Sequence, residues 1–261
     1  MTSRTLLIAT AIILASCSVK EVRDGCPCRL EVDLSDASQD RGQISVRIGS
    51  IESSTILYAD PASEKVLTVN VPKGHTSVAC IQGIRGCIND GNDVIIPEGL
   101  EADSLMVSLN DVDCSGEKAY CKAVFHKDWA SITVFTKNSA SEAYPYDILI
   151  CGKTNGISLI SGMPVEGRFR YRTSCSVSDG TASIRIPRQN PDGKGLTLTL
   201  VPKKEGGVGK EYDLSAIISA IGFDWTAKDL DDIRIDIDHS GCLTGIRVID
   251  WNTGEDRDVI I

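Results

Sequence analysis

Cysteine carries most of the chemical potential of this 261-residue chain. Ten are present, at positions 17, 26, 28, 80, 87, 114, 121, 151, 175 and 242. Cys80 and Cys87 share a seven-residue separation with Cys114 and Cys121, and these four are candidates for disulfides that bridge turns. Zinc is the competing chemistry. It needs a close cysteine pair with a second pair or histidines. Cys26-Pro27-Cys28 has a single residue between its cysteines, and no second clamp follows. Pro27 also limits how that segment folds onto one ion, so no metal is expected.

The other candidate sites are weaker. Gly152-Lys153-Thr154 has the tail of a phosphate loop, but the position of the first glycine is Asp147, and Gly209-Lys210 is followed by Glu211. No G-x-S-x-G elbow occurs. His75, His126 and His239 lie far apart and are expected on the surface at strand ends. Asp229, Asp231, Asp232, Asp236 and Asp238 invite a calcium reading. The last three alternate with isoleucines, which spreads them over about 20 Å of a solvated strand face. No catalytic residue and no cofactor is expected, and the chain reads as a protein that holds others rather than an enzyme with a small-molecule substrate.

The first sixteen residues set the expected compartment. Met1–Ser16 carry one charge, Arg4, and then the apolar run Leu6–Leu14. That run is shorter than the roughly 20 residues a spanning helix needs, and with small residues behind it reads as a secretory signal. Leu14-Ala15-Ser16-Cys17 resembles the lipobox of bacterial lipoproteins, which implies cleavage before Cys17 and acylation of its sulfur. Each buried methylene of such a chain contributes about 0.8 kcal/mol to membrane attachment. Ser18 is not the aspartate that retains some lipoproteins at the inner membrane, so the outer membrane is expected. Without Cys17, an odd number of cysteines remains for an oxidising compartment.

Composition narrows the function classes. Lys and Arg number 27 against 36 Asp and Glu, a net charge of −9, which argues against a nucleic-acid partner. An apolar share of 42% with 24% charged residues is ordinary for a globular chain and excludes general disorder. Aromatics at 5% are few for a sugar-binding cleft or a stacking platform.

The elements follow from a period of two. Leu30, Val32 and Leu34 alternate with charged residues, as do Ile44, Val46 and Ile48. Further runs at 55–58, 66–71, 78–81, 94–96 and 105–109 are bounded by Gly, Asp, Asn or Pro, so an all-β antiparallel sandwich is expected. A polar stretch over 111–120 reads as a joint. A second set follows at 123–125, 132–135, 146–150, 168–172, 182–186 and 196–201, with closing strands around Ile233–Ile237 and Ile246–Trp251. Asp213 caps one helix whose face is Leu214, Ile217, Ile218 and Ile221, with Gly222 at its end. Thr226–Asp229 resembles a capping box. Trp225 and Trp251 are expected to pack on that helix. The expected division is a signal over 1–16, a lipidated linker over 17–28, and domains over 29–117 and 118–261.

Several stretches together resemble the FimB-type anchor and accessory subunits of type V pili. They are Tyr212-Asp213-Leu214 with its helix, Phe223-Asp224-Trp225, Asp229-Leu230, Asp232-Ile233 and Asp250-Trp251. Val22–Cys28, Val32–Ser35 and Cys151–Gly156 are similar to the same family. The resemblance implies two tandem transthyretin-like β-sandwich domains, an outer-membrane lipoprotein, and a role in anchoring or capping a fimbria. It implies fimbrial subunits as partners, joined by donor-strand pairing, with the lipid as the membrane contact. An accessory or tip adhesin of the same pilus, or a surface glycan-binding lipoprotein, is the alternative.

Overall fold

Alternation between buried and exposed positions carries through into strands. The structure is a computed structural model and describes residues 25–137, 143–192 and 194–257. The expected signal and its acyl acceptor Cys17 lie outside the described residues. The first half forms β1 (Cys28–Asp33), β2 (Ile44–Gly49), β3 (Ser54–Ala59), β4 (Val66–Val71), β5 (His75–Gln82), β6 (Ile88–Asn89), β7 (Asp93–Ile95), β8 (Met106–Asp113) and β9 (Lys118–Lys122). After β10 (His126–Lys127) come β11 (Trp129–Lys137), β12 (Tyr146–Ser158), β13 (Pro164–Ser174), β14 (Thr181–Pro187), β15 (Thr197–Pro202) and β16 (Lys210–Asp213). The helix α1 (Leu214–Ala220) precedes β17 (Asp232–Asp238), β18 (Leu243–Ile249) and β19 (Asp256–Arg257).

The fold is all-β, with sheets stacked as two sandwiches. In the first, a three-stranded sheet ordered β4-β1-β9 faces a five-stranded sheet ordered β10-β8-β5-β2-β3. Leu30, Val32, Ile44, Val46 and Val78 fill the space between them. In the second, β14-β11-β17-β18-β19 faces β16-β15-β12-β7-β6, and β13 pairs on the other side of β12. Ile132, Val134, Ile148, Ile150, Ile184, Ile233 and Ile235 form that core. Each sandwich also holds one parallel pair, β1 with β9 and β11 with β17. Such pairs need long connections and leave no local sequence mark.

Parallel pairing explains the first difference from the sequence expectation. The division expected at 117/118 falls ahead of β9, and β9 pairs with β1, so residues 118–122 side with the first sandwich. The stretch 123–125, expected as a strand, is connector. A second difference is larger. β6 and β7 lie within the first half of the sequence, yet β7 pairs with Gly156–Ser158 of β12 in the second sandwich. Between the two sandwiches, Ala79, Ile81, Val94, Leu105, Val107, Ile157 and Leu159 make a third apolar cluster. The two halves are thereby joined by a shared core and an exchanged pair of strands rather than by a hinge.

Around α1, the Asp213 carboxylate accepts from the Ala216 N–H at 3.2 Å, and Gly222 ends the helix with a φ of 74°. Leu214, Ile218 and Ile221 are buried, and Ile217 is partly so. No helix opens at Thr226. Asp224 instead accepts from the Thr226 N–H at 2.8 Å and its hydroxyl at 2.6 Å, closing a turn. Trp225 is buried beside Phe223, their ring centres 4.6 Å apart. Trp251 corrects the expectation: it is outside this core and covers Lys127.

Candidate functional site: the groove between the sandwiches

The most built region of the molecule lies where the sandwiches meet. Lys127 of β10 has a relative exposure of 0%. Its Nζ donates to the Leu230 carbonyl at 2.9 Å and to Asp232 Oδ1 at 2.6 Å. The ammonium lies 4.4 Å from the centre of the Trp129 ring and 4.9 Å from that of Trp251. Burial pulls its pKa below the ordinary lysine value, against the opposing pull of Asp232. Asp229 accepts from the Lys127 N–H at 2.7 Å and faces His126 Nδ1 at 3.1 Å. A strand of the first sandwich is thus held by the Asp229–Asp232 segment of the second.

Arg188 extends the same clamp. Its Nε donates to Asp128 at 2.6 Å, and its Nη1 donates to the Trp225 and Ala227 carbonyls at 2.6 and 2.7 Å. Burial raises the Asp128 carboxyl against the pull of this guanidinium. Nearby, three backbone N–H groups, of Arg85, Gly86 and Cys87, donate to Asp103 Oδ2 at 2.7–2.8 Å. Burial would raise Asp103, but these donors outweigh it and hold the carboxyl below its usual value.

Over this clamp runs a groove of about 620 Å³. β8 forms one wall with Val107–Asn110, and the turn after β12 forms the other with Met163 and Pro164. Val124 and Trp225 also line it. Leu109, Val124 and Met163 are 39%, 46% and 52% exposed, an apolar surface left in water. The β8 edge is half open. β10 pairs with Met106 and Val107 only, so from Ser108 to Asp113 that side of β8 has no strand partner among the described residues. An extended chain laid there would gain main-chain hydrogen bonds and apolar contacts together.

A second concavity, of about 630 Å³, is polar. It contains Lys153 and Thr154 of the phosphate-loop-like stretch with Glu166, Arg168, Asp192 and Lys194, and no aromatic residue lines it.

The residues singled out from sequence are dispersed. His75 pairs with Asp111 at 3.3 Å, His126 with Asp229, and His239 sits edge-on to Tyr144 with ring centres 6.4 Å apart. Among the described residues, no three His, Cys, Asp or Glu side chains are grouped to hold a metal, and no helix is long and apolar enough to cross a membrane. The acidic run is not a solvated face. Asp229 and Asp232 hold Lys127, Asp236 is buried between Arg234 and Arg247, and Asp238 accepts from Ser240 and the Cys242 N–H. No disulfide joins the nine described cysteines in the structure. Cys80 and Cys87 are on opposite sides of a sheet: Cys80 faces the first core, while Cys87 packs with Ala79 and Ile81 on the other face of β5. A bridge between them is closed off by the pleat. Cys114 and Cys121 do share one core. The half-open β8 edge had no local signal, because edge exposure depends on which strands pair.

No protein-family model and no curated protein matches this sequence. Solved structures share its fold. One is the fimbrial anchor protein Mfa2 from Porphyromonas gingivalis, 14% identical, with a TM-score of 0.61, covering 88% of this chain and 99% of that one. Another is a candidate polysaccharide-binding protein from Bacteroides thetaiotaomicron, 10% identical, with a TM-score of 0.62, covering 89% and 98%. A third is a candidate adhesin from the same organism, 12% identical, with a TM-score of 0.57, covering 87% and 97%.

Proposed function

We propose that this chain is an outer-membrane lipoprotein that anchors or caps a type V fimbria, holding a fimbrial subunit by non-covalent strand pairing and turning over no substrate. Removal of residues 1–16 frees Cys17 for acylation, and the stretch between Cys17 and the start of β1 at Cys28 tethers the two sandwiches to the membrane. The observation that carries the reading is the half-paired β8 edge beside the exposed Leu109, Val124 and Met163. Main-chain bonds supply affinity there, and alternate side chains supply register. The fold shared with a fimbrial anchor protein supports the same role. A glycan-binding reading has less support, since the polar concavity lacks the aromatic faces that stack on sugars.

Deletion of this chain tests the proposal. Pili should be shed into the medium or lengthen while pilin synthesis continues. Cys17→Ser should lose acyl label and reproduce that phenotype. Unchanged pilus attachment, length and composition would refute anchoring, and normal attachment with altered adhesion would favour an accessory or tip role.

A further inference from the structure

Four buried cysteines share the core of the first sandwich. Cys28 opens β1 and Cys121 lies on β9, both in the three-stranded sheet. Cys80 lies on β5 and Cys114 directly follows β8, both in the sheet that faces it. All four belong to one apolar cluster. The backbone brings the first pair together. Cys28 stands opposite Val71 at the end of β4, and the turn that follows presents the Gly74 carbonyl, which accepts from the Cys114 N–H at 2.8 Å. Cys28 and Cys114 therefore lie at the same end of the core. Cys121 stands opposite Val32 of β1, four residues along from Cys28, and Cys80 stands opposite Ser108 of β8, six residues back from Cys114. Cys121 and Cys80 are thus both displaced along their sheets away from the end that holds Cys28 and Cys114. Their sulfurs are not grouped to hold a metal.

We infer that the first sandwich is a scaffold for two disulfides that join its sheets, Cys28 to Cys114 and Cys80 to Cys121. Only this partition gives every cysteine an adjacent partner. A bridge from Cys114 to Cys121 would leave Cys28 and Cys80 toward opposite ends of the core. The inference rests on the export proposed above, because disulfides persist in oxidising compartments. Each bridge forms by exchange with an external disulfide, such as an oxidised dithiol carrier. A cysteine thiolate attacks one carrier sulfur, and the second cysteine thiolate then displaces the carrier. The two cysteines lose two electrons and two protons, and the carrier disulfide becomes two thiols. Burial pushes the Cys80 thiol up to about 12 and Cys121 up to about 11. Thiolate is scarce at neutral pH in the folded core, so the exchange belongs to the folding chain and the closed bridges are shielded from reductant. Both bridges tie together strands distant in sequence, which constrains the unfolded chain most.

The full chain, reduced and unfolded, is refolded in a buffer of reduced and oxidised glutathione. It is then unfolded in alkylating reagent and digested without reduction for mass spectrometry. Peptides linked Cys28–Cys114 and Cys80–Cys121 are expected. Full reduction should lower the melting temperature by about 5–10 °C. Cys28→Ala, Cys114→Ala and their double variant should each lose the same part of that shift, because either single change abolishes one bridge. Linkage of Cys114 to Cys121, or alkylation of all four cysteines, overturns the pairing. Bridges formed in the buffer, with free thiols in protein isolated from cells, uphold the pairing and count against export.

Discussion

At the scale of single residues, the molecule concentrates its buried charge at the junction between sandwiches. Lys127 and Arg188 are each matched to a carboxylate and to backbone carbonyls, which offsets the cost of taking a cation out of water. Asp103 does the reverse, using one oxygen to satisfy three N–H groups of the 85–87 turn. Its carboxyl is held below the usual range, so its contribution is fully present above the unfolded aspartate value of about 3.9 and is lost as pH falls through the folded value. Asp103→Asn keeps an acceptor but removes the charge. Amide exchange at Arg85, Gly86 and Cys87 should then speed up by about tenfold at neutral pH, since charged hydrogen bonds exceed neutral ones by about 1.4 kcal/mol. Wild-type protein should show the same loosening only in acid. Unaltered exchange in the variant would mean the turn is held by other contacts. Little of this was legible in the sequence. Asp232 read as solvated because local alternation says nothing of a lysine 105 residues away. Trp251 read as core for the same reason, since an ammonium under its ring is a long-range partner.

At the scale of elements, most strands were legible and their partners were not. β1, β4 and β14 follow alternation almost residue for residue, because one face of each is buried. The helix followed from Asp213, its apolar face and Gly222. β6 and β10 are too short for any period to show, and β7 follows the expected run at 94–96 while its partner on β12 had no local signal; these are the elements that lock the halves together. Gly156 marks where β7 docks. A Cβ there would overlap the Val94 carbonyl oxygen and crowd Ile95 Cδ1 at 3.0 Å. The glycine's role is close backbone approach, which explains the last residue of the Cys151–Gly156 stretch without any phosphate. Gly156→Ala should therefore displace β7 and open the cluster of Val94, Ile157 and Leu159. A loss of about 2–3 kcal/mol in denaturant unfolding is expected, with the two sandwiches beginning to unfold separately. A single coincident transition of wild-type midpoint would show that β7 docking contributes little.

At the scale of the whole molecule, the exchanged strands and the third apolar cluster make the junction rigid, and rigidity is what a strand-accepting groove requires. A partner bound between two mobile domains would spend part of its contact energy ordering them. Here β8 is already fixed by β5 along its length, from Met106 opposite Gln82 to Asp113 opposite His75. Among the described residues the far side of the same strand has no strand partner from Ser108 onward, so an incoming strand meets a preformed template. Charge at such an edge discourages pairing, as lysines do on natural edge strands. Leu109→Lys combined with Met163→Glu changes two exposed side chains of the groove, so folding stability should move by no more than about 0.5 kcal/mol each. Binding of a purified fimbrial stalk subunit should weaken by on the order of tenfold to a hundredfold, as expected when apolar anchors of an interface are removed. Lys153→Ala with Lys194→Ala, in the polar concavity, should leave that binding unchanged. If the concavity pair weakens subunit binding and the groove pair does not, contact is made through polar side chains on the second sandwich, and β8 is an edge protected by other means.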